Sequence, residues 1–170
     1  MTVARAYLRE LSEHGFHEAD TARFTAAWEQ LEAAYFQRIA EVTAPFAEWR
    51  DRFRAAATET ARLVEAHRAE ARFLAVDALA AGELGRKHQR ALASRIAALL
   101  DGARAELDDP GAVPETTSSW IVAMFFDRVY RRCTVPGAPD LPSQLPELMF
   151  LAISAYFGTA TGLEELIPPP

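Results

Sequence analysis

The sequence predicts an all-α protein, and three observations carry that expectation. Apolar residues recur in steps of three and four along most of the chain. No strand-type alternation persists anywhere. Glycine and proline fall between the periodic stretches, at spacings that suit helix lengths. Alanine and arginine, both good helix formers, are abundant, and arginine supplies 17 of the 18 basic residues, with Lys87 alone. At 170 residues the chain is long enough for one domain with a full core.

Residues 3–14 read as a short helix with Tyr7, Leu8 and Leu11 on one side, stopped by Gly15. Asp20 or Thr21 can cap a long second helix reaching about Val42, with Phe24, Trp28, Leu31, Tyr35, Ile39 and Val42 on one face. Pro45 suits the first turn of a third helix that carries Phe46, Trp49, Phe53, Ala57 and Val64. After a break near His67, residues 68–81 predict a short apolar helix with Phe73, Leu74, Val76 and Leu79, ended by Gly82. A long helix over 83–107 follows, with Leu84, His88, Leu92, Ile96, Leu100, Ala103 and Leu107 in phase. Asp108-Asp109-Pro110-Gly111 reads as a loop. Thr117 or Ser118 can cap a helix that contains Trp120, Phe125, Tyr130 and Cys133, and Pro136-Gly137-Ala138-Pro139 breaks it. Pro146 fits the first turn of a final helix that Gly158 closes. The expected organisation is an N-terminal helical extension or remnant over 1–20, a helical domain over 21–158, and a mobile tail over 159–170.

Composition narrows the function classes. The net charge is −6, and arginine-rich stretches such as Arg50-Asp51-Arg52-Phe53-Arg54 are interleaved with acids. A basic stripe for phosphates is absent, which argues against direct DNA binding by this chain. The single cysteine, Cys133, allows no intrachain disulfide. No apolar run approaches membrane-spanning length, so a cytoplasmic location without membrane contact is expected.

The last two helices predict a partner. Trp120, Ile121, Val122, Met124, Phe125 and Phe126 point almost all round the helix axis, and residues 148–153 do the same. Leaving such side chains wet costs roughly 1.5–3 kcal/mol each relative to burial. Self-association about a twofold axis would hide them, both helices of each subunit contributing to a four-helix interface; the alternative is a central hairpin buried entirely within one chain. The expected interface residues are Trp120, Ile121, Met124, Phe150, Ile153, Tyr156 and Phe157.

The same region carries a family resemblance. The run Leu141-Pro142-Ser143-Gln144-Leu145-Pro146-Glu147-Leu148-Met149-Phe150-Leu151-Ala152-Ile153-Ser154-Ala155-Tyr156-Phe157-Gly158 resembles the final helix of many TetR-type transcriptional regulators. Ser154 and Ala155 depart from that group's small-residue–proline pair before the tyrosine. Val129-Tyr130-Arg131-Arg132 is similar to the end of the preceding helix. Phe73-Leu74-Ala75-Val76-Asp77-Ala78-Leu79-Ala80-Ala81-Gly82 resembles the central segment, and 93–104 the long helix after it. The resemblance covers about 24–158. It implies an antiparallel helical bundle that binds a small hydrophobic effector between its helices and homodimerises through its last two. Such regulators begin with a helix-turn-helix of about fifty residues. Here the residues before Phe24 hold no such pattern, so DNA contact is expected only through a reader not present in this chain.

Candidate chemistry is sparse. No nucleophile elbow, phosphate-cradling glycine loop, cysteine cluster or acid/base pair at convincing spacing is present, so no catalytic residue, metal or cofactor is expected and the chain is read as a non-enzyme. Glu13, His14, His17 and Glu18 surround a helix-breaking glycine and read as a solvated turn. His67 and His88 are either hydrogen-bonded boundary histidines or polar anchors of a pocket wall. Asp77 either pairs with Arg95 or Arg72 or meets a ligand. Trp49, Phe53, Phe125 and Tyr130 supply apolar walls for a lipophilic ligand. The expected ligand-binding set is therefore Trp49, Phe53, His67, Asp77, His88, Arg95, Phe125 and Tyr130. The alternative is a ligand-free interaction module that pairs with itself or with a full-length regulator.

Overall fold

The computed structural model describes residues 2–17 and 20–167, and the described residues form helices and turns with no strand. Eight α-helices run α1 (Thr2–His14), α2 (Thr21–Thr43), α3 (Trp49–Ala66), α4 (Arg68–Ala75), α5 (Glu83–Leu100), α6 (Thr117–Thr134), α7 (Leu141–Phe157) and α8 (Thr159–Leu163). Among the described residues no helix is long and apolar enough to cross a membrane.

Three helix boundaries differ from those the sequence pattern predicts, one set by a distant contact and two by nearby ones. α3 starts at Trp49, leaving Pro45 in the preceding turn and Phe46 exposed, because the Trp49 amide donates to Glu106 Oε1 at 2.7 Å. That carboxylate satisfies a first-turn amide across the fold. The long helix expected to reach Leu107 ends at Leu100, and a 3₁₀ segment, Asp101–Glu106, turns the chain. Arg104 holds that turn by donating to the carbonyls of Pro110, Val113 and Pro114 at 2.7–2.9 Å. α7 begins at Leu141, capped by Asp140 Oδ1, which accepts from the Ser143 amide at 2.8 Å. Pro146 consequently lies inside the helix on its exposed side. The apolar stretch 68–81 also splits, into α4 and a 3₁₀ turn, Asp77–Ala81. Gly85 lets α5 meet that turn, since a Cβ there would stand 1.7 Å from the Ala78 carbonyl oxygen.

Two apolar clusters form the interior. In the first, α1 contributes Tyr7, Leu8 and Leu11 to a set with Phe24, Trp28, Phe73 and Leu92. The first 20 residues thus supply core side chains. In the second, Trp49 stacks on Phe53 at 5.0 Å and meets Tyr156 at 5.4 Å, beside Ile121, Met149 and Ile153. The Tyr156 hydroxyl donates to Asp101 at 3.4 Å, and burial pushes its phenol up to about 12.

The segment after Gly158, expected to be a mobile tail, is helical as far as residue 166. Gly162 sits so close to α7 that a Cβ would lie 2.0 Å from Ser154 Oγ. Beyond it, Glu165 accepts from Arg50 Nε at 2.7 Å and Arg54 Nη2 at 2.8 Å, tying the chain end back to α3. Burial of Glu165 raises its pKa, but the two guanidinium groups outweigh it and hold the carboxyl below the usual range. Residues 168–170 of the expected tail lie outside the described residues.

Candidate functional site

A partly open cavity of about 490 Å³ lies between α2 and α3 and is bordered by α4, α5 and α6. Its wall is apolar almost throughout. α2 provides Leu31, Phe36 and Ile39, and α6 provides Val122, Phe125, Phe126 and Val129. α5 adds Leu92, Ile96 and Leu100, with Leu99, more than half exposed, at the rim. The space exists because α3 brings Ala56, Ala57 and Thr60 to positions where larger side chains would fill it. The alanine run at 55–57 is the mark this space leaves in the sequence.

The polar lining is small and internally bonded. Tyr35 Oη and Thr60 Oγ1 lie 3.0 Å apart, and Thr60 Oγ1 donates to the Ala56 carbonyl at 2.8 Å. Burial pushes the Tyr35 phenol above its ordinary value, so it stays neutral. Glu32 accepts from Trp28 Nε1 at 3.0 Å and from Arg95. Arg38 Nε donates to Glu59 at 2.7 Å. Arg52 donates to the Ala47 carbonyl and stands 3.6 Å from Glu106.

Of the expected ligand-binding residues, Trp49, Phe53, His67 and Phe125 line this cavity. The other four lie elsewhere. Asp77 pairs with Arg72 at 3.2 Å, and burial pushes its carboxyl up despite that partner. His88 packs in the first cluster, its ring 5.3 Å from Trp28 and 5.8 Å from Phe24. Arg95 braces the wall from outside, over the Phe36 ring at 3.9 Å. Tyr130 is exposed on α6. Tyr35 and Thr60, both in the wall, were not singled out from sequence because a hydroxyl pair 25 residues apart has no local signature.

The expected dimer-interface residues also divide. Ile121, Ile153 and Tyr156 are buried in the chain's own core, at 5%, 0% and 5% exposure. Phe157 is half-buried against Trp49 at 5.7 Å, while Met124 and Phe150 are half-buried and Trp120 is 75% exposed. The all-round apolar character of α6 has an internal explanation for most of its residues. Ile121 enters the second cluster, and Val122, Phe125, Phe126 and Val129 face the cavity. On α7, α8 covers the side that carries Ser154.

In the N-terminal turn the His14 Nδ1–H donates to the Glu10 carbonyl at 3.3 Å and His17 is exposed, while Glu18 lies outside the described residues. Burial raises the Cys133 thiol, which makes it a poor nucleophile at neutral pH. Comparison with protein-family models, with curated proteins and with solved structures finds no match to this chain.

Proposed function

We propose that this chain is an effector-sensing and dimerising domain of the kind found in TetR-like regulators, taking a small hydrophobic molecule between α2, α3, α5 and α6. The observation that carries the proposal is the cavity, whose 490 Å³ falls within the range of small-molecule sites and whose wall is apolar with few polar points. A domain that needed only stability would gain by filling that space, since voids forfeit contacts on every lining side chain. In the proposed mechanism the effector bridges α2–α3 and α5–α6 and so sets the tilt of α6 relative to the rest. α6 and α7 carry the outward Trp120, Tyr130 and Leu151, which supply the self-association surface together with the half-buried Met124 and Phe150. Readout on DNA requires a helix-turn-helix outside these 170 residues.

The experiment is thermal melting against a panel of alkyl, aromatic and polycyclic lipophiles, with sedimentation of the same samples. An effector at a hundred times its Kd raises stability by about 2.7 kcal/mol. Absence of any shift across the panel removes the sensor reading. A second reading, an interaction module without ligand, is favoured by Trp120, whose 75% exposure is the largest for any aromatic described. It predicts a dimer that Trp120→Ala dissociates and that no lipophile stabilises.

A further inference from the structure

We propose that the cavity is built for a neutral lipophile bearing one hydrogen-bond donor, such as a hydroxyl, received by the phenolic oxygen of Tyr35. The inference rests on the sensor reading above and adds the ligand's chemistry to it.

The argument follows the protons. Three hydroxyl side chains line the cavity, those of Tyr35, Thr43 and Thr60. Each threonine has one hydroxyl proton. Thr60 Oγ1 lies 2.8 Å from the Ala56 carbonyl and Thr43 Oγ1 lies 2.8 Å from the Ile39 carbonyl, and a carbonyl can only accept. Both threonine protons are therefore committed to the backbone. The 3.0 Å contact between Tyr35 Oη and Thr60 Oγ1 must then be donated by Tyr35. Its proton is used as well, and what the phenol retains is acceptor capacity. The hydroxyl set offers an incoming molecule lone pairs and no hydrogens. A ligand donor satisfies Tyr35, whereas a carbonyl or ether oxygen meets another acceptor.

Charge points to the same class. A carboxylate ligand needs a cation to receive it. Among the lining residues, Arg38 is engaged by Glu59 and Glu41, and Arg52 by the Ala47 carbonyl and Glu106. Ligand cations fare no better, because Glu32 already receives Trp28 and Arg95, and Glu70 is not free. An ionised headgroup would compete with the carboxylates already paired to these guanidinium groups, and the remaining polar group of the wall is the His67 ring. A neutral donor breaks none of these pairs.

Nonanol and its isomer methyl octyl ether test this, with nonanoate as the charged comparator, each titrated calorimetrically into the full chain and into Tyr35→Phe. The expected result is that Tyr35→Phe weakens nonanol about five- to tenfold, the scale of one hydrogen bond, leaves the ether within twofold, and that nonanoate binds most weakly to both. Equal losses for alcohol and ether, or a nonanol preference removed by His67→Ala and kept by Tyr35→Phe, would overturn the assignment while leaving lipophile binding intact. Failure of every probe to bind the wild-type chain overturns the inference together with the sensor reading. A wild-type preference for the ether over the alcohol, measured without any substitution, overturns it even if Tyr35→Phe does not fold.

Discussion

Around Phe73 the rings of Tyr7, Phe24 and Trp28 close on one another, with none of the four more than 2% exposed. Further along the same α2 helix, Tyr35 and Phe36 border an open space shared with Ala56, Ala57 and Thr60. The two regions use similar side chains on the α2 side and end differently because of what faces them. In the first, α1 brings Tyr7 and α4 brings Phe73, and edge contacts of 5.3–6.3 Å fill the volume. In the second, α3 presents alanines and a threonine, so the rings of α2 meet no large side chain from that helix. One end of the domain is a packed anchor, and the middle is held open.

That contrast can be broken from the anchor side first. Phe73→Ala removes a fully buried ring from the filled cluster and is expected to cost about 3–5 kcal/mol in urea unfolding. Phe125→Ala, which takes a half-buried ring from the cavity wall, should cost about 1–2 kcal/mol, because part of that ring already faces empty space. Equal costs at the two sites would mean that the cavity is closed in solution.

Gly85→Ala probes the junction between α5 and the turn that follows α4. Its Cβ would lie 1.7 Å from a backbone oxygen that cannot move alone, so a loss of about 2–3 kcal/mol is expected in the same assay.

Acid sensitivity should be modest and traceable to the outer edge of α2 and α3. Arg62 and then Arg38 hold the Glu59 carboxyl down from 4.5 to about 2. Its folded pKa lies below the unfolded one, so its contribution is complete above about pH 4.5 and fades as the pH falls toward 2. Glu59 itself is buried, yet its cover consists of two arginine side chains that are 44% and 56% exposed. Solvent screening of those partners limits the effect to about 1 kcal/mol or less. Glu59→Gln should flatten that part of the stability–pH curve, measured by urea unfolding at stepped pH.

The smallest stability effect, and the sharpest on the comparison, belongs to Ala56→Leu. It extends a side chain into the open space, so the change in stability should stay within about 1 kcal/mol, while lipophile affinity falls at least tenfold by calorimetry. A large loss of stability with affinity retained would place the ligand elsewhere.

Much of the architecture was legible in local pattern. The three- and four-residue spacing marks α1, α2 and α6 to within a residue or two, and the core positions Tyr7, Phe24, Trp28 and Phe73 stand on the expected faces. Legibility failed where a boundary depends on a distant partner. Glu106 sets the start of α3 from 57 residues away, and Glu165 reaches 111 residues back to Arg54 to order a segment that has no periodicity of its own. The candidate site was half legible. Trp49, Phe53 and Phe125 could be named as wall material because large rings on amphipathic helices face inward. His88 stands in phase with Leu84 and Leu92, yet its neighbours are the Phe24 and Trp28 rings outside the cavity, and Asp77 takes the Arg72 partner, one of the two arginines the sequence offered it.

The sequence by itself determined that the chain is helical and which stripe of each helix turns inward, because backbone hydrogen bonding and side-chain period are local properties. Only the tertiary structure decided that the apolar excess of α6 lines an interior space, since an apolar stripe is the same stripe whether it meets a ring, an alanine or a void. What lies opposite is a matter of which helices pack together, and that depends on contacts between residues far apart in the chain.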